Sequence, residues 1–198
     1  MAFDDSPHNR EDLKNNRNSS TKDTQVDLIG VVFRGHQLLH VSQSKITVDG
    51  TDSTEAILQQ VNLNPHRREL RLILVDSPTL AGFNVVNYQL LWEELKLPIV
   101  LMPEEKPRER MVKVFSKVFP QRAKQIARLE KLSELESMEV RINNTPEIAK
   151  KIYFHPVGIE TRHLREIFHY LTNVSSVPEP LRVAHIIASR SRYPPKSL

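Results

Sequence analysis

Leu70-Arg71-Leu72-Ile73-Leu74-Val75-Asp76 is the stretch on which the fold turns. Arg71 is its one polar interruption, and the run lacks the alternation of a strand with one wet face. It is also too short for a helix, so it reads as a strand buried on both faces, the pattern of a central position in an α/β sheet. Asp76-Ser77-Pro78 closes it with turn chemistry. Upstream, residues 53–61 read as a helix, with Thr51 or Asp52 placed to cap it. A third strand is expected at 45–48, stopped by Asp49-Gly50. Before it, Leu28-Ile29-Gly30-Val31-Val32-Phe33 is another nearly continuous apolar run, and Arg34-Gly35-His36 supplies the turn into a return strand from Gln37 to Val41. Downstream, Gly82-Phe83-Asn84 leads into an amphipathic helix over 85–95, and Leu97-Pro98-Ile99-Val100-Leu101-Met102 is the next strand, ended by Pro103. Helical segments split by Pro120 follow, with Ile126, Leu129 and Leu132 on one face. Short strands at 138–142 and 152–157 and helices at 161–171 and 181–189 complete the series. A hairpin followed by alternating strands and helices predicts a mixed α/β sheet.

The ends of the chain read differently. Residues 7–26 are polar, rich in Asn, Ser and charge, and too poor in apolar surface to offset their ordering entropy, so a flexible loop is expected. Residues 190–198, with Tyr193-Pro194-Pro195-Lys196, read as a disordered tail, leaving one domain over 1–189. The 198 residues contain no cysteine, which excludes disulfides, thiolate metal sites and thiol catalysis. No apolar run approaches the roughly 20 residues of a membrane span, and the first residues lack a signal-peptide core. A cytoplasmic protein without a membrane partner is the expectation.

Charge is concentrated. Residues 106–131 carry nine basic and two acidic side chains, a balance of +7, whereas the rest of the chain, with 19 basic and 22 acidic, stands at −3. One basic element on an otherwise acidic chain suits a polyanion, or is a solvated helical face. Five glycines in total leave little material for phosphate cradles, and there is no G-x-S-x-G elbow, Walker loop, G-x-G-x-x-G or H-E-x-x-H.

In open α/β sheets, ligands bind beyond the carboxyl ends of the strands. Inspecting those ends returns carboxylates: Asp4 and Asp5 after Ala2-Phe3, Asp49 after Ile46-Thr47-Val48, and Asp76 after Val75. Singly, each is an ordinary turn or cap residue. Crowded together they would repel, and Mg²⁺ or Mn²⁺ is the usual remedy. A cluster of that kind would suit displacement at phosphorus. Arg182 and His185 stand three apart on one face of the helix that Pro178 and Pro180 initiate.

Ile46-Thr47-Val48-Asp49-Gly50, Val75-Asp76, Gly82-Phe83-Asn84-Val85-Val86 and Pro178-Glu179-Pro180-Leu181-Arg182-Val183-Ala184-His185-Ile186-Ile187-Ala188 together resemble an archaeal family of uncharacterised proteins related to endonuclease V. The resemblance spans residues 4–189 and implies an RNase H-like mixed sheet flanked by helices. It implies a nuclease whose catalytic metal, Mg²⁺ or Mn²⁺, is bound by Asp4, Asp49 and Asp76, with Asp in place of Glu at the second position, and with His185 beside the metal. Nucleic acid, DNA or RNA, is the implied partner, and Asn84, Lys106, Lys113, Lys117, Arg122, Lys124, Arg128 and Arg182 are its candidate contacts. The alternative is a binding module that keeps the fold without turnover. The chain departs from the pattern at several points: only Met1-Ala2-Phe3 precedes Asp4, Ser6 and Ser77 stand where Gly is usual, and Asn87 replaces a frequent Asp. Glu104 falls where endonuclease V has a lysine, and Val41 to Thr47 lack the Pro-Tyr-Ile-Pro wedge, so specificity for deaminated bases is not carried over.

Overall fold

The central apolar run makes a strand shorter than its hydrophobic extent, β4 at Ile73–Val75, with all three residues buried. A short 3₁₀ turn at Arg67–Glu69 occupies the approach to it, and Arg71 points to solvent. The computed structural model of the chain describes residues 1–7, 24–103, 109–132, 135–142, 145–172 and 174–191. The other strands are β1 Ala2–Asp5, β2 Gln25–Arg34, β3 Gln37–Thr47, β5 Thr79–Leu80, β6 Asn84–Val85, β7 Ile99–Leu101, β8 Glu136–Ile142 and β9 Thr145–Val157. Six helices are described: α1 Ser53–Asn62, α2 Tyr88–Leu95, α3 Glu109–Val118, α4 Ala123–Lys131, α5 Thr161–Leu171 and α6 Glu179–Ser191.

Seven strands form one mixed sheet in the order β3-β2-β1-β4-β7-β9-β8, and β5 and β6 make a separate small ribbon. β4 is the middle strand and runs parallel to β1 on one side and to β7 on the other. The remaining neighbours are antiparallel. Side chains alternate across the sheet as the pleat requires. Phe3, Ile73, Val75, Ile99 and Leu101 pack with α1, α2, α3 and α4 on one face, while Ala2, Leu74 and Val100 pack with α5 and α6 on the other. The result is the mixed α/β sheet, helices on both faces, that the sequence predicts.

Details differ. The return strand and the expected third strand are one continuous β3, paired along its length with β2. Gly30, inside β2, sits at a close approach: a Cβ there would lie 2.6 Å from Gln60 Oε1 and 2.7 Å from Ser42 Oγ, and those side-chain ends would have to shift. Gln60 reaches across from α1 to donate to the Leu28 carbonyl and Ser44 Oγ. Asp52 sits at the N-cap of α1 without capping it. Its carboxylate accepts instead from the Thr47 amide and hydroxyl and from Asn84 Nδ2. Gln25 and Val26 belong to β2 rather than to the loop assigned to 7–26, and residues 8–23 of that segment lie outside the described residues. α6 begins two residues earlier than predicted and takes in Arg190 and Ser191, while 192–198 lie outside the described residues. Among the described residues no helix is long and apolar enough to cross a membrane.

Candidate active site

β2 runs antiparallel to both β1 and β3, and β4 and β7 run parallel to β1, so the carboxyl ends of β1, β3, β4 and β7 share one edge of the sheet. Asp4, Asp5, Asp49 and Asp76 all belong to that edge. Asp4 is 5% exposed and held from two sides, since Asp4 pairs with Ile29 of β2 and the adjoining Phe3 pairs with Val75 of β4. The Asp76 amide donates to the Phe3 carbonyl, which carries the parallel register one step further. By that register Asp76 stands opposite Asp4 and on the same face, the face of α6.

α6 lies against β1 through Leu181, Ala184 and Ala188, all fully buried. The small side chains let the helix backbone come close to the sheet, and His185, one position past Ala184, emerges at the rim. Its Nδ1 is 2.8 Å from Asp4 Oδ2. The other oxygen of Asp4 accepts the Asp5 amide at 2.8 Å. The imidazole is 67% exposed although its partner is buried, and its Nε2 stands 3.5 Å from Ser189 Oγ. Beside this pair a cleft of about 460 Å³ opens, with Asp76, Arg182 and His185 in its wall. His185 touches Asp4 and lines the cleft together with Asp76, so three of the four residues expected from the sequence lie at the same end of the sheet.

Asp49 lies at that end as well, with its carboxylate engaged elsewhere. It occupies the left-handed region at φ 54°, a conformation Asp tolerates, and its Oδ1 accepts the Phe83 amide at 2.8 Å. The Asp49 amide in turn donates to the Ala81 carbonyl. Ala81 and Gly82 both have positive φ, so the β5–β6 turn presents its backbone to the carboxylates on this side. One of them is Asp5, which the sequence places at the strand end but the expected metal and catalytic set leaves out. Burial pushes the Asp5 carboxyl up to about 7, and the charge of Asp4 adds to the effect; hydrogen bonds from the backbone of Ala81 and of Asp5 itself, and the nearness of His185, oppose it. The Asp-Asp pair was legible as sequence, but only the pleat separates its members: Asp4 faces α6 and Asp5 the opposite side. Among the described residues no group of three His, Asp or Glu side chains is close enough to hold an ion.

The residues expected to meet nucleic acid divide. Asn84 is a correction: it is fully buried, and its amide is spent on Ser53 N, Thr47 O and Asp52 Oδ1, so it has no surface to offer. Arg122 is half-buried, donates to the Gly50 carbonyl at 3.2 Å and lies 4.1 Å over the Phe119 ring. Phe119 in turn meets Phe83 edge to face and Phe115 at a tilt, so Arg122 ties the basic segment to the Asp49 turn. Arg182 is bound by two hydrogen bonds to Glu179. Lys113, Lys117 and Lys124 are exposed on α3 and α4, and Arg128 is half-buried near Tyr88. Lys106 and Glu104 lie outside the described residues.

Solved structures with the same fold define the class. A protein of unknown function from Archaeoglobus fulgidus superposes with a TM-score of 0.71, covering 94% of each chain at 22% identity. Ciona intestinalis endonuclease V, solved with a DNA containing an inosine followed by a ribo-adenosine, superposes at 0.56 over 96% of this chain and 83% of that one, at 15% identity. The catalytic domain of human endonuclease V gives 0.54. The fold is RNase H-like, of the endonuclease V kind.

Within that class the chain belongs to the Endonuclease dU family, whose model matches residues 1–192. Archaeal relatives named UPF0215 protein include one from Methanosarcina mazei, 33% identical over 86% of this chain and 85% of the relative. Another, from Methanothermobacter thermautotrophicus, is 37% identical over 82% of this chain and 76% of the relative.

Proposed function

We propose that the chain is a divalent-metal-dependent nuclease that hydrolyses phosphodiester bonds of nucleic acid. The observation that carries this reading is the 2.8 Å contact between His185 Nδ1 and Asp4 Oδ2 at the strand-end edge, with Asp76 adjoining. The donors suit the cation in kind, although among the described residues no three of them stand close enough to enclose it. Carboxylate oxygens suit Mg²⁺ or Mn²⁺ better than softer metals, and the edge carries enough negative charge that Asp4 helps raise its neighbour Asp5. Asp4 and Asp76 would hold the ion, with Asp49 the third ligand implied by the family resemblance. Bound there, it would supply positive charge to the scissile phosphate and to the attacking water.

The rest falls to the chain's own residues. Ionised Asp4 keeps the proton of His185 on Nδ1 and fixes the ring, which leaves Nε2 at the solvent-facing rim to take a proton or, once charged, to give one. Lys113, Lys117 and Lys124 would bind the phosphate backbone. The fold shared with a DNA-bound endonuclease V supports nucleic acid as the partner.

A second reading, a catalytically impaired nucleic-acid-binding module, is favoured by one observation: the Asp49 carboxylate is engaged by the Phe83 amide rather than turned toward Asp4 and Asp76. Melting with and without Mn²⁺, and cleavage of single- and double-stranded oligonucleotides with and without one dU, separate the two readings. The family's description makes the dU strand the first substrate to test. A cation at about a hundred times its dissociation constant stabilises the folded chain by about 2.7 kcal/mol. Asp4→Asn and Asp76→Asn should lose that gain and the cleavage together, and His185→Ala the cleavage alone. A melting temperature indifferent to Mn²⁺, with nucleic acid bound but uncut, would leave the binding module.

A further inference from the structure

β9 outruns its neighbour. Only His155, Pro156 and Val157 pair with β7, which ends at Leu101, while β8 follows β9 outward from Phe154 to Thr145. Among the described residues, the stretch from Lys150 to Phe154 has no strand on its β7 side. The gap this leaves is the cleft beside His185. Met102 and Pro103 floor it, Lys150, Lys151 and Tyr153 come from β9, and Asp76 and His185 belong to the opposite wall.

Three properties of that wall bear on what it would bind. Tyr153 is half-buried, packed in part against the apolar core while it also lines the cleft. A ring held in this way is a stacking platform that costs little ordering entropy. Lys151 Nζ lies over the Tyr153 ring, 5.6 Å from its centroid, so a base stacking on that face would displace the ammonium toward the nucleotide's own phosphates. Lys150, one residue earlier, projects to the other side of the strand. Both lysines are exposed and neither has a role in the core. The cleft, about 460 Å³, is in the range of a small-ligand site.

We propose that this cleft takes one unpaired nucleotide of a single-stranded segment, its base stacked on Tyr153 and its phosphates met by Lys150 and Lys151. The proposal rests on the nuclease reading for what happens next, since the same cleft ends at His185 and Asp76 and would bring the adjoining phosphate to them. A duplex would have to open at this point, so the preferred substrate is a strand with an unpaired stretch.

The test is titration of a single-stranded DNA 12-mer carrying one 2-aminopurine, read by fluorescence quenching and anisotropy, alongside a matched duplex. Wild type should quench the reporter and prefer the single strand. Tyr153→Ala should abolish quenching and weaken binding about tenfold, in line with aromatic stacking measured on other proteins. Tyr153→Phe should restore both, because it keeps the ring. Lys150→Ala with Lys151→Ala should flatten the salt dependence by about 1.4 in log–log slope. Unquenched reporter with wild type, or full affinity and cleavage in Tyr153→Ala, overturns the proposal and leaves the nuclease reading standing. Quenching by wild type, lost in Tyr153→Ala, with no cleavage under any metal, upholds the cleft and refutes the nuclease.

Discussion

Replacing Asn84 by Ala tests whether this residue belongs to the fold or to the substrate. The side chain is fully buried and makes three hydrogen bonds: its Oδ1 accepts the Ser53 amide at 3.1 Å, and its Nδ2 donates to the Thr47 carbonyl at 3.0 Å and to Asp52 Oδ1 at 2.5 Å. Ser53 is the first residue of α1, so one of the orphan amides of the helix end depends on Asn84. Truncation leaves that amide unsatisfied, at about 1–3 kcal/mol, and takes one of two donors from the Thr47 carbonyl, which keeps the Gly50 amide at 3.0 Å and so loses only about 1 kcal/mol. Asp52 loses less, since its carboxylate retains the Thr47 amide and hydroxyl. A net loss of about 3 kcal/mol follows, allowing for non-additivity within one network, and for a chain of this size that lowers the melting temperature by about 6–12 °C. Differential scanning calorimetry reads the shift, and filter binding on the folded protein reads nucleic-acid affinity. Asn84→Asp should be worse than Ala near neutral pH, because it sets a second carboxylate against Asp52 and the Thr47 carbonyl, and should recover in acid. A melting temperature within about 2 °C of wild type, together with lost nucleic-acid affinity, would refute the structural assignment and return Asn84 to the interface.

The basic helices carry a second prediction: Lys113→Ala, Lys117→Ala and Lys124→Ala combined should lower the slope of log affinity against log salt by up to about 2.7 on duplex DNA, with an unchanged slope assigning these lysines to solvation. A third concerns Asp52, where burial alone would raise the carboxyl but hydrogen bonds from Thr47 and Asn84 overcome it and hold it below its ordinary value. A depressed folded pKa contributes stability that is present above the unfolded value and lost as pH falls through the folded one, so the cost of Asp52→Asn, measured by urea unfolding, should be constant above about pH 5. It should shrink as pH drops below about 4; a cost that persists in acid would show that the charge of Asp52 is irrelevant.

The sheet was legible because its signals are collective. Phe3, Ile73, Val75, Ile99 and Leu101 on one face, and Ala2, Leu74 and Val100 on the other, are short apolar runs that only a doubly covered parallel core explains. Punctuation was less legible where it depended on partners distant in sequence. Nothing local says that residues 37–47 are one strand rather than two, because the continuity comes from pairing with all of β2. Similarly, Asp52 has the composition and position of an N-cap, and only the arrival of Asn84 and the Thr47 amide shows that its oxygens are engaged elsewhere.

The candidate site marks where such reading stops. Strand-end logic assigns a residue to an edge and not to a face, and a shift of one residue exchanges the faces. Asp4 and Asp5 adjoin in sequence yet look in opposite directions, one to His185 and the other to the Ala81 turn. Asp49 lies at the expected edge, but its left-handed backbone and the amide of Phe83, 34 residues away, set the direction of its carboxylate. That direction is also what distinguishes an enzyme from a module that merely binds. Carboxylates turned inward with His185 make an ion site, whereas a carboxylate capping the Phe83 amide stabilises a loop. Replacing Phe83 leaves that amide in place, so side-chain substitution cannot release Asp49; what can compete for its oxygen is a cation. Mn²⁺ that stabilises wild type more than Asp49→Asn would mean that Asp49 exchanges the amide for the ion, and equal stabilisation would mean that Asp4 and Asp76 hold it without Asp49.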